Sequence, residues 1–197
     1  HHPVIATGHQ PSIYYPGLLF KNFFTLDIAR QIESTAVNFI VDSDKANFRV
    51  PIPYQEHNEL KKTHVELRNP TNQIYKNFKP SEKEVCNFFE SISKNLATLP
   101  NNQMGRAFEE YKSRFFKEYR INRDFVETLR ILRNRFDSSE ERNIRDIKLS
   151  QIMPSKGYHR FILYILNNLE RFVEVYNDAV QQNKRKDYQP VKFLNRE

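Results

Sequence analysis

The chain has 197 residues, 39% hydrophobic and 28% charged, with 16 Phe, 10 Tyr and no Trp. That is enough apolar and aromatic surface for a packed core, and it excludes wholesale disorder. A net charge of +7 permits attraction to nucleic acid, acidic lipid or phosphorylated ligands, while no apolar run approaches the ~18–20 residues of a membrane span.

The single cysteine, Cys86, excludes an internal disulfide and offers no metal framework, so a reducing cytoplasm is the expected compartment. No stretch has the pattern of a signal peptide. The start at His1-His2 without Met and the end at Asn195-Arg196-Glu197 read as marks of an excised segment of a longer protein. Acidic and basic residues are mixed between Arg106 and Arg145, which reads as solvated helix faces and makes nucleic acid an unlikely partner.

Residues Pro3 to Thr7 form a first apolar strand, and Gly8 allows a sharp turn at its end. Pro16 suits the first position of a helix, where its missing N–H costs nothing. From Leu18 to about Ser34, Phe20, Phe23, Phe24, Ile28 and Ile32 recur at helical spacing. The run Ala36–Val41 followed by Asp42-Ser43-Asp44 has the pattern of a buried parallel strand delivering carboxylates at its C-terminal end. Strand, helix and strand within about 40 residues make a βαβ unit.

Pro51 and Pro53 demote residues Phe48 to Tyr54 to an edge strand or extended loop, and Thr63–Arg68 alternates as a further strand stopped by Asn69-Pro70. After Pro80 the pattern turns helical. Ser81 and Glu84 form a capping box ahead of Val85, Phe88, Phe89, Ile92 and Leu96. Asn101 or Asn102 is placed to cap a helix carrying Phe108, Tyr111, Phe115 and Phe116, and Asn122 one carrying Phe125, Val126, Leu129, Leu132 and Phe136. Ser138–Arg145 is polar and loop-like, and Asp146–Ile152 is ambiguous, with a short strand as one reading. Ser155 opens the longest predicted helix, with Tyr158, Phe161, Ile162, Ile165, Leu169, Phe172, Tyr176 and Ala179 on its buried side and a basic end at Lys184-Arg185-Lys186.

The fold class is therefore α/β: a Rossmann-like βαβ start followed by a predominantly α-helical second half. The expected division is residues 1–75, the Rossmann-like portion, and residues 76–197, a helical portion packed on it.

In a βαβ unit, ligands bind outside the carboxyl ends of the strands. The loop from Gly8 to Gly17 and the Asp42–Asp44 turn are thus expected to face one crevice, where a helix N-terminus favours an anion. His9 can hold a phosphate oxygen or act as general acid or base, or simply cap the turn. Gln10 can hold a ligand through its amide or bond the turn. Lys21 can reach a phosphate as a point charge or stay solvated. Asp42 and Asp44, two apart, point the same way in an extended chain; they suit Mg²⁺, a ribose hydroxyl or base catalysis, or else a polar strand end. Tyr14 and Tyr15 can stack on a base or pack the loop. His57, His64 and His159 lack the spacing and company of a zinc site. Cys86, beside Phe88 and Phe89, reads as core rather than nucleophile.

The residues Thr7-Gly8-His9-Gln10-Pro11, with Pro16-Gly17, Lys21 and Asp42-Ser43-Asp44, make the chain resemble the bacillithiol-synthesis cysteine ligase family. That family has a Thr-Gly-Gln-Gln turn after its first strand, a Gly-Pro-Leu element entering a helix with a lysine, and an acidic turn after strand two. The resemblance covers about the N-terminal fifth of the chain. It implies a Rossmann-type core with a helical annex, a nucleotide-like pocket with Thr7, Gly8, Gln10, Lys21 and Asp44 at matching positions, and ligase chemistry joining cysteine to a glucosamine–malate acceptor. The sequence departs from the pattern in carrying His9 where the family has Gln, and in being much shorter. Gly8-His9 is also similar to the His-x-Gly-His turn of nucleotidyltransferase-type folds, with Ala6 in place of the first His.

The expected function is binding of a nucleotide or other phosphorylated small molecule, with a ligase or a nucleotidyl or group transferase as the enzyme class. His9 and Asp44 are the candidate catalytic residues; Thr7, Gly8, His9, Gln10, Gly17, Lys21, Asp42 and Asp44 are the candidate ligand contacts. Mg²⁺ and a nucleotide are the possible cofactors. The alternatives are a helical interaction or scaffold protein that forms homo-oligomers through its helices, and a basic nucleic-acid binder using Arg106–Arg135.

Overall fold

The computed structural model describes residues 3–12, 16–137, 144–183 and 190. The readings of Tyr14 and Tyr15, of the stretch 138–143, of Lys184–Lys186 and of the tail 191–194 lie outside the described residues, as does the side chain of Phe136. The chain forms two compact units, residues 1–150 and 151–197.

In the first unit, β1 (Val4–His9) leads through α1 (Pro16–Gln31) to β2 (Thr35–Ile40), and these two strands pair in parallel from Val4↔Thr35 to His9↔Ile40. A third parallel strand, β5 (Arg145–Lys148), pairs with the other edge of β2, so the sheet order is β1-β2-β5. The ambiguous stretch Asp146–Ile152 thus divides into the end of β5 and one helical turn, α5 (Leu149–Ile152). The architecture is mixed α/β with a parallel sheet at its start.

Between β2 and β5 lies a hairpin of β3 (Phe48–Glu56) and β4 (Glu59–Leu67), followed by α2 (Glu82–Leu96), α3 (Gln103–Asn122) and α4 (Phe125–Asp137). The hairpin turns on His57 and Asn58, both at positive φ (51° and 64°), the two-residue geometry whose twist suits antiparallel strands. Pro51 and Pro53 are accommodated because this sheet has only two strands and each is an edge. Phe48, Ile52, Val65 and Leu67 point to one face, and α2 covers it. Helices α2, α3 and α4 complete a core in which Phe89, Phe115 and Phe125 are fully buried. Phe89 and Phe115 lie 4.6 Å apart between ring centroids, and Phe48 and Phe125 meet edge-on at 4.7 Å. The change from strands to helices after residue 75 therefore falls inside one unit.

The Ser81–Glu84 capping box forms in full, with the Ser81 N–H donating to Glu84 at 2.7 Å and the Glu84 N–H donating to Ser81 Oγ at 3.3 Å. Asn101, not Asn102, accepts from the Gln103 N–H at 3.0 Å. The cap of α4 is Asp124 rather than Asn122: α3 runs on through Asn122, turns at Arg123 (φ 53°), and Asp124 Oδ1 accepts from the Glu127 N–H at 2.9 Å.

The phenylalanine stripe of α1 does not face the sheet. Phe20 and Phe24 are exposed and stack on each other, while Leu18, Asn22, Thr25 and Ala29 are buried. The small core on this side is Ala29, Ala36 and Ile144 with Ile5 and Leu26 packed on it, so small side chains set how closely α1 approaches.

In the second unit, the single helix expected from Ser155 is two helices, α6 (Lys156–Asn167) and α7 (Leu169–Asn183). Ser155 caps α6 as expected, accepting from the Tyr158 N–H at 3.1 Å. The interruption comes at Asn168, whose side chain donates to the Tyr164 carbonyl at 2.8 Å and competes with the backbone ladder there. Helical bonding nonetheless continues on both sides, from Asn168 N–H to Tyr164 and from Phe172 N–H to Asn168. The expected buried stripe is corrected as well. Phe161, Leu169, Phe172, Tyr176 and Ala179 are exposed, and Val173 is the buried hydrophobic residue among those described in this unit.

Candidate functional site

The C-terminal ends of β1 and β2 open onto a cleft of about 560 Å³ lined by His9, Gln10, Ser12, Asp44, Lys45, Asn47, Arg49, Glu66, Asn69, Asn72 and Tyr75. Three of the candidate residues, His9, Gln10 and Asp44, thus share one cavity although 34 positions separate Gln10 from Asp44. Gln10 Nε2 donates to Asp44 Oδ2 at 2.8 Å, and the Lys45 N–H donates to Asp44 Oδ1 at 2.7 Å. These two bonds hold the Asp44 carboxyl below its ordinary range, the Gln10 amide contributing most. His9 Nδ1 donates to the Gln10 carbonyl at 2.8 Å, which places a proton on Nδ1 and orients the ring.

The far wall is the β3–β4 hairpin, where Arg49 and Glu66 are cross-strand partners and both face solvent. The floor is laced together by backbone bonds: Tyr75 N–H to Asp44 O and Ala46 N–H to Gln73 O, each 2.9 Å. Asn69 Nδ2 donates to the carbonyls of Gln73 and Ala46 at 2.8 and 3.1 Å. The Tyr75 hydroxyl donates to the Asn47 carbonyl at 2.9 Å, and burial pushes its ionisation above the ordinary range. The hairpin and the strand ends are thus joined below the cleft by fixed loops.

The other candidates are placed differently. Thr7 is half-buried within β1 opposite Asn38 and does not line the cleft. Gly8 lies close to β2, where an added Cβ would come within 3.2 Å of the Phe39 carbonyl oxygen, and its own carbonyl accepts from Lys21 Nζ at 2.7 Å. Lys21 therefore ties α1 to the end of β1. Gly17 is exposed in the first turn of α1, away from the lining residues.

Asp42 and Asp44 do not point the same way. The extended backbone stops at Ile40, so the two-residue alternation is lost before the carboxylates are reached. Asp42 is 1% exposed and turned toward Ser150, accepting from its N–H at 2.9 Å and from its hydroxyl at 2.6 Å. Only Asp44 reaches the cleft.

Arg49, Glu66, Asn69, Asn72 and Tyr75 are cleft residues that sequence reasoning missed. Alternation places Arg49 and Glu66 on the face opposite Phe48, Ile52, Val65 and Leu67, but nothing in one sequence says that this face shares a cleft with His9, Gln10 and Asp44. Among the described residues no three His, Cys, Asp or Glu side chains gather as a metal-binding group. No described helix is long and apolar enough to cross a membrane. No family model, curated protein or solved structure matches the chain.

Proposed function

We propose that the chain binds a nucleotide or other phosphorylated small molecule in the cleft at the ends of β1 and β2, as a Rossmann-like domain akin to the bacillithiol-synthesis cysteine ligases and with a ligase or group-transfer reaction as its chemistry. One observation carries this reading: His9, Gln10 and Asp44, from the ends of two parallel strands, converge on a single cleft of about 560 Å³, the size range of small-molecule sites. Its walls offer both halves of what such a ligand needs. Lys45 and Arg49 supply positive charge for phosphate, His9 a ring nitrogen, and the amides of Asn47, Asn69 and Asn72 hydrogen bonds for a polar head. Asp44 and Glu66 are the carboxylates toward which a hydrated Mg²⁺ or a ligand hydroxyl would turn. In this reading His9 moves a proton or holds an oxyanion and Asp44 orients the nucleophile, positioning being the main catalytic term.

The test is a thermal-shift titration with ATP, AMP and inorganic phosphate, with and without Mg²⁺, on the wild type and on His9→Ala. A ligand bound only by the native state at a hundredfold excess over its Kd adds about 2.7 kcal/mol. Stabilisation of the wild type that disappears in His9→Ala supports the reading; no shift with any of the three overturns it.

A helical interaction protein is the second reading, favoured by the exposed Phe161, Tyr164, Phe172 and Val175 of α6 and α7. A nucleic-acid surface along Arg106–Arg135 gains less, because Lys112, Arg130 and Arg133 are paired with carboxylates.

A further inference from the structure

The mixed signs between Arg106 and Arg145 sort by face once the helices are formed. Of the described carboxylates there, Glu118 is buried beside Asn122, and Glu109 pairs with Lys112 at 3.3 Å. Asp124 caps α4 and pairs with Lys79, and Glu127 takes Arg130 and Lys148. The cations Lys112, Arg130 and Arg133 are taken up by carboxylates in the same way. What remains is a basic stripe confined to α3. At about 100° per residue, Arg106, Arg114, Lys117 and Arg120 fall within an arc of roughly 120°, on the side of the helix opposite the buried Phe115 and Tyr119. Arg123 follows just past the helix end. All five are exposed, and among the described residues Arg106, Lys117, Arg120 and Arg123 have no ion-pair partner. Arg114 reaches the one carboxylate on this face, Glu110, only at 3.9 Å. Arg114, Lys117 and Arg120 stand three apart, the spacing at which like charges repel along a helix. A lone chain gains nothing from that arrangement, whereas a bound anion relieves it.

The kind of anion follows from what the face lacks. Ile121 is the one large apolar side chain on it, exposed at 72%. A lipid surface takes up several such side chains, and an acidic protein partner needs a desolvated apolar anchor. No aromatic ring stands within the stripe for the bases of a single strand to stack on. Charge alone, spread over about 20 Å of helix, suits a repeating anion: the phosphate backbone of a duplex, bound without regard to sequence.

We infer that the outer face of α3 is a docking site for duplex nucleic acid, with Arg106, Arg114, Lys117, Arg120 and Arg123 neutralising backbone phosphates. This goes beyond the small-molecule reading of the cleft and does not depend on it.

The experiment is fluorescence anisotropy of a labelled duplex DNA of mixed sequence, titrated with the whole chain at several salt concentrations. With four or five phosphates neutralised, log affinity should fall against log salt with a slope of about −4. The double variant Lys117→Gln/Arg120→Gln removes two of those contacts. Its slope should be shallower by about 2, and its affinity should drop by about tenfold at a fixed salt concentration. Because it also relieves like-charge repulsion, its melting temperature should not fall. Lys83→Gln/Lys94→Gln takes the same charge from exposed positions on α2 and should leave the slope unchanged. Absence of binding overturns the proposal. So does an equal loss in both double variants, which would mean attraction to net charge alone. Tighter binding to the single strand than to the duplex overturns the choice of partner.

Discussion

Ser150 closes on Asp42 from 108 positions away, its N–H donating to Oδ1 at 2.9 Å and its hydroxyl to Oδ2 at 2.6 Å. The carboxylate is buried, so both bonds are made out of competition with water. Replacing Asp42 by Ala leaves the Ser150 donors unpaired and should cost about 1–3 kcal/mol, and Ser150→Ala about 1 kcal/mol. Urea unfolding measures both. Because Asp42 faces away from the cleft, a nucleotide-induced thermal shift should survive in Ser150→Ala.

A second buried contact fastens the sheet to the helices. Asp146, on β5, accepts from Asn38 Nδ2 of β2 at 2.9 Å and pairs with Arg133 of α4. The side chains of Arg133 and Asp146 are 2% and 4% exposed. Removing one partner leaves the other's charge buried with weaker company, since Arg130 lies 3.7 Å from Asp146, so Arg133→Met or Asp146→Ala should cost up to about 3–5 kcal/mol. The double variant Arg133→Met/Asp146→Leu should recover part of that loss, because two apolar groups leave no buried charge. Denaturant midpoints of the three variants decide it.

The rim of the same cluster sets an acid limit. Glu127 receives Arg130 at 2.5 Å and Lys148 at 2.8 Å, which depress its carboxyl from 4.5 to about 2, Arg130 contributing most. A carboxyl held lower in the folded state than in the unfolded one stabilises above the unfolded value and loses that stabilisation as pH falls. Solvent reaches this partly exposed cluster and screens it, so Glu127 should contribute on the order of 1–2 kcal/mol at neutral pH, lost between roughly pH 5 and pH 2. Glu127→Gln should be less stable at pH 7 and show a flatter acid limb, read from thermal melts across that window.

In the cleft, Asp44 owes its lowered ionisation chiefly to Gln10. Gln10→Ala should let it rise toward the ordinary carboxylate range while the overall fold is kept. A carboxyl-detected NMR titration of Asp44 in the two proteins gives the answer, and an unchanged midpoint would mean that the Gln10 bond is not kept in solution.

The helix start at Ser81 offers a local control. Ser81→Ala removes the acceptor for the Glu84 N–H and the hydroxyl donor to the Glu84 carboxylate, leaving only the backbone N–H of residue 81 on that carboxylate, and it should cost about 1 kcal/mol in chemical denaturation.

The elements legible in the sequence were those with local causes. The capping box at Ser81, the N-cap at Ser155 and the strand–helix–strand start each follow from side chains within a few positions, and each forms. The convergence of His9, Gln10 and Asp44 was also legible, because parallel strands must end on the same side. What failed had distant causes. Asp42 is claimed by Ser150, and Arg133 by Asp146, partners that helical or strand periodicity cannot disclose. On α1 the order of hydrophobicity misled: Asn22 and Thr25 face inward and Phe20 and Phe24 outward, because the small core allows close approach only to small side chains.

The position of β5 has a kinetic consequence. It joins β2 only after the hairpin and three helices have intervened, and its carboxylate at Asp146 finds its partners only once α4 is in place. Helices α2–α4 and the β3–β4 hairpin are built from near neighbours and can form early, whereas the third strand must wait for a long loop to close. The parallel sheet, first in the chain, should be the last part to become complete, and refolding followed at Asn38 should lag behind refolding followed at Phe89.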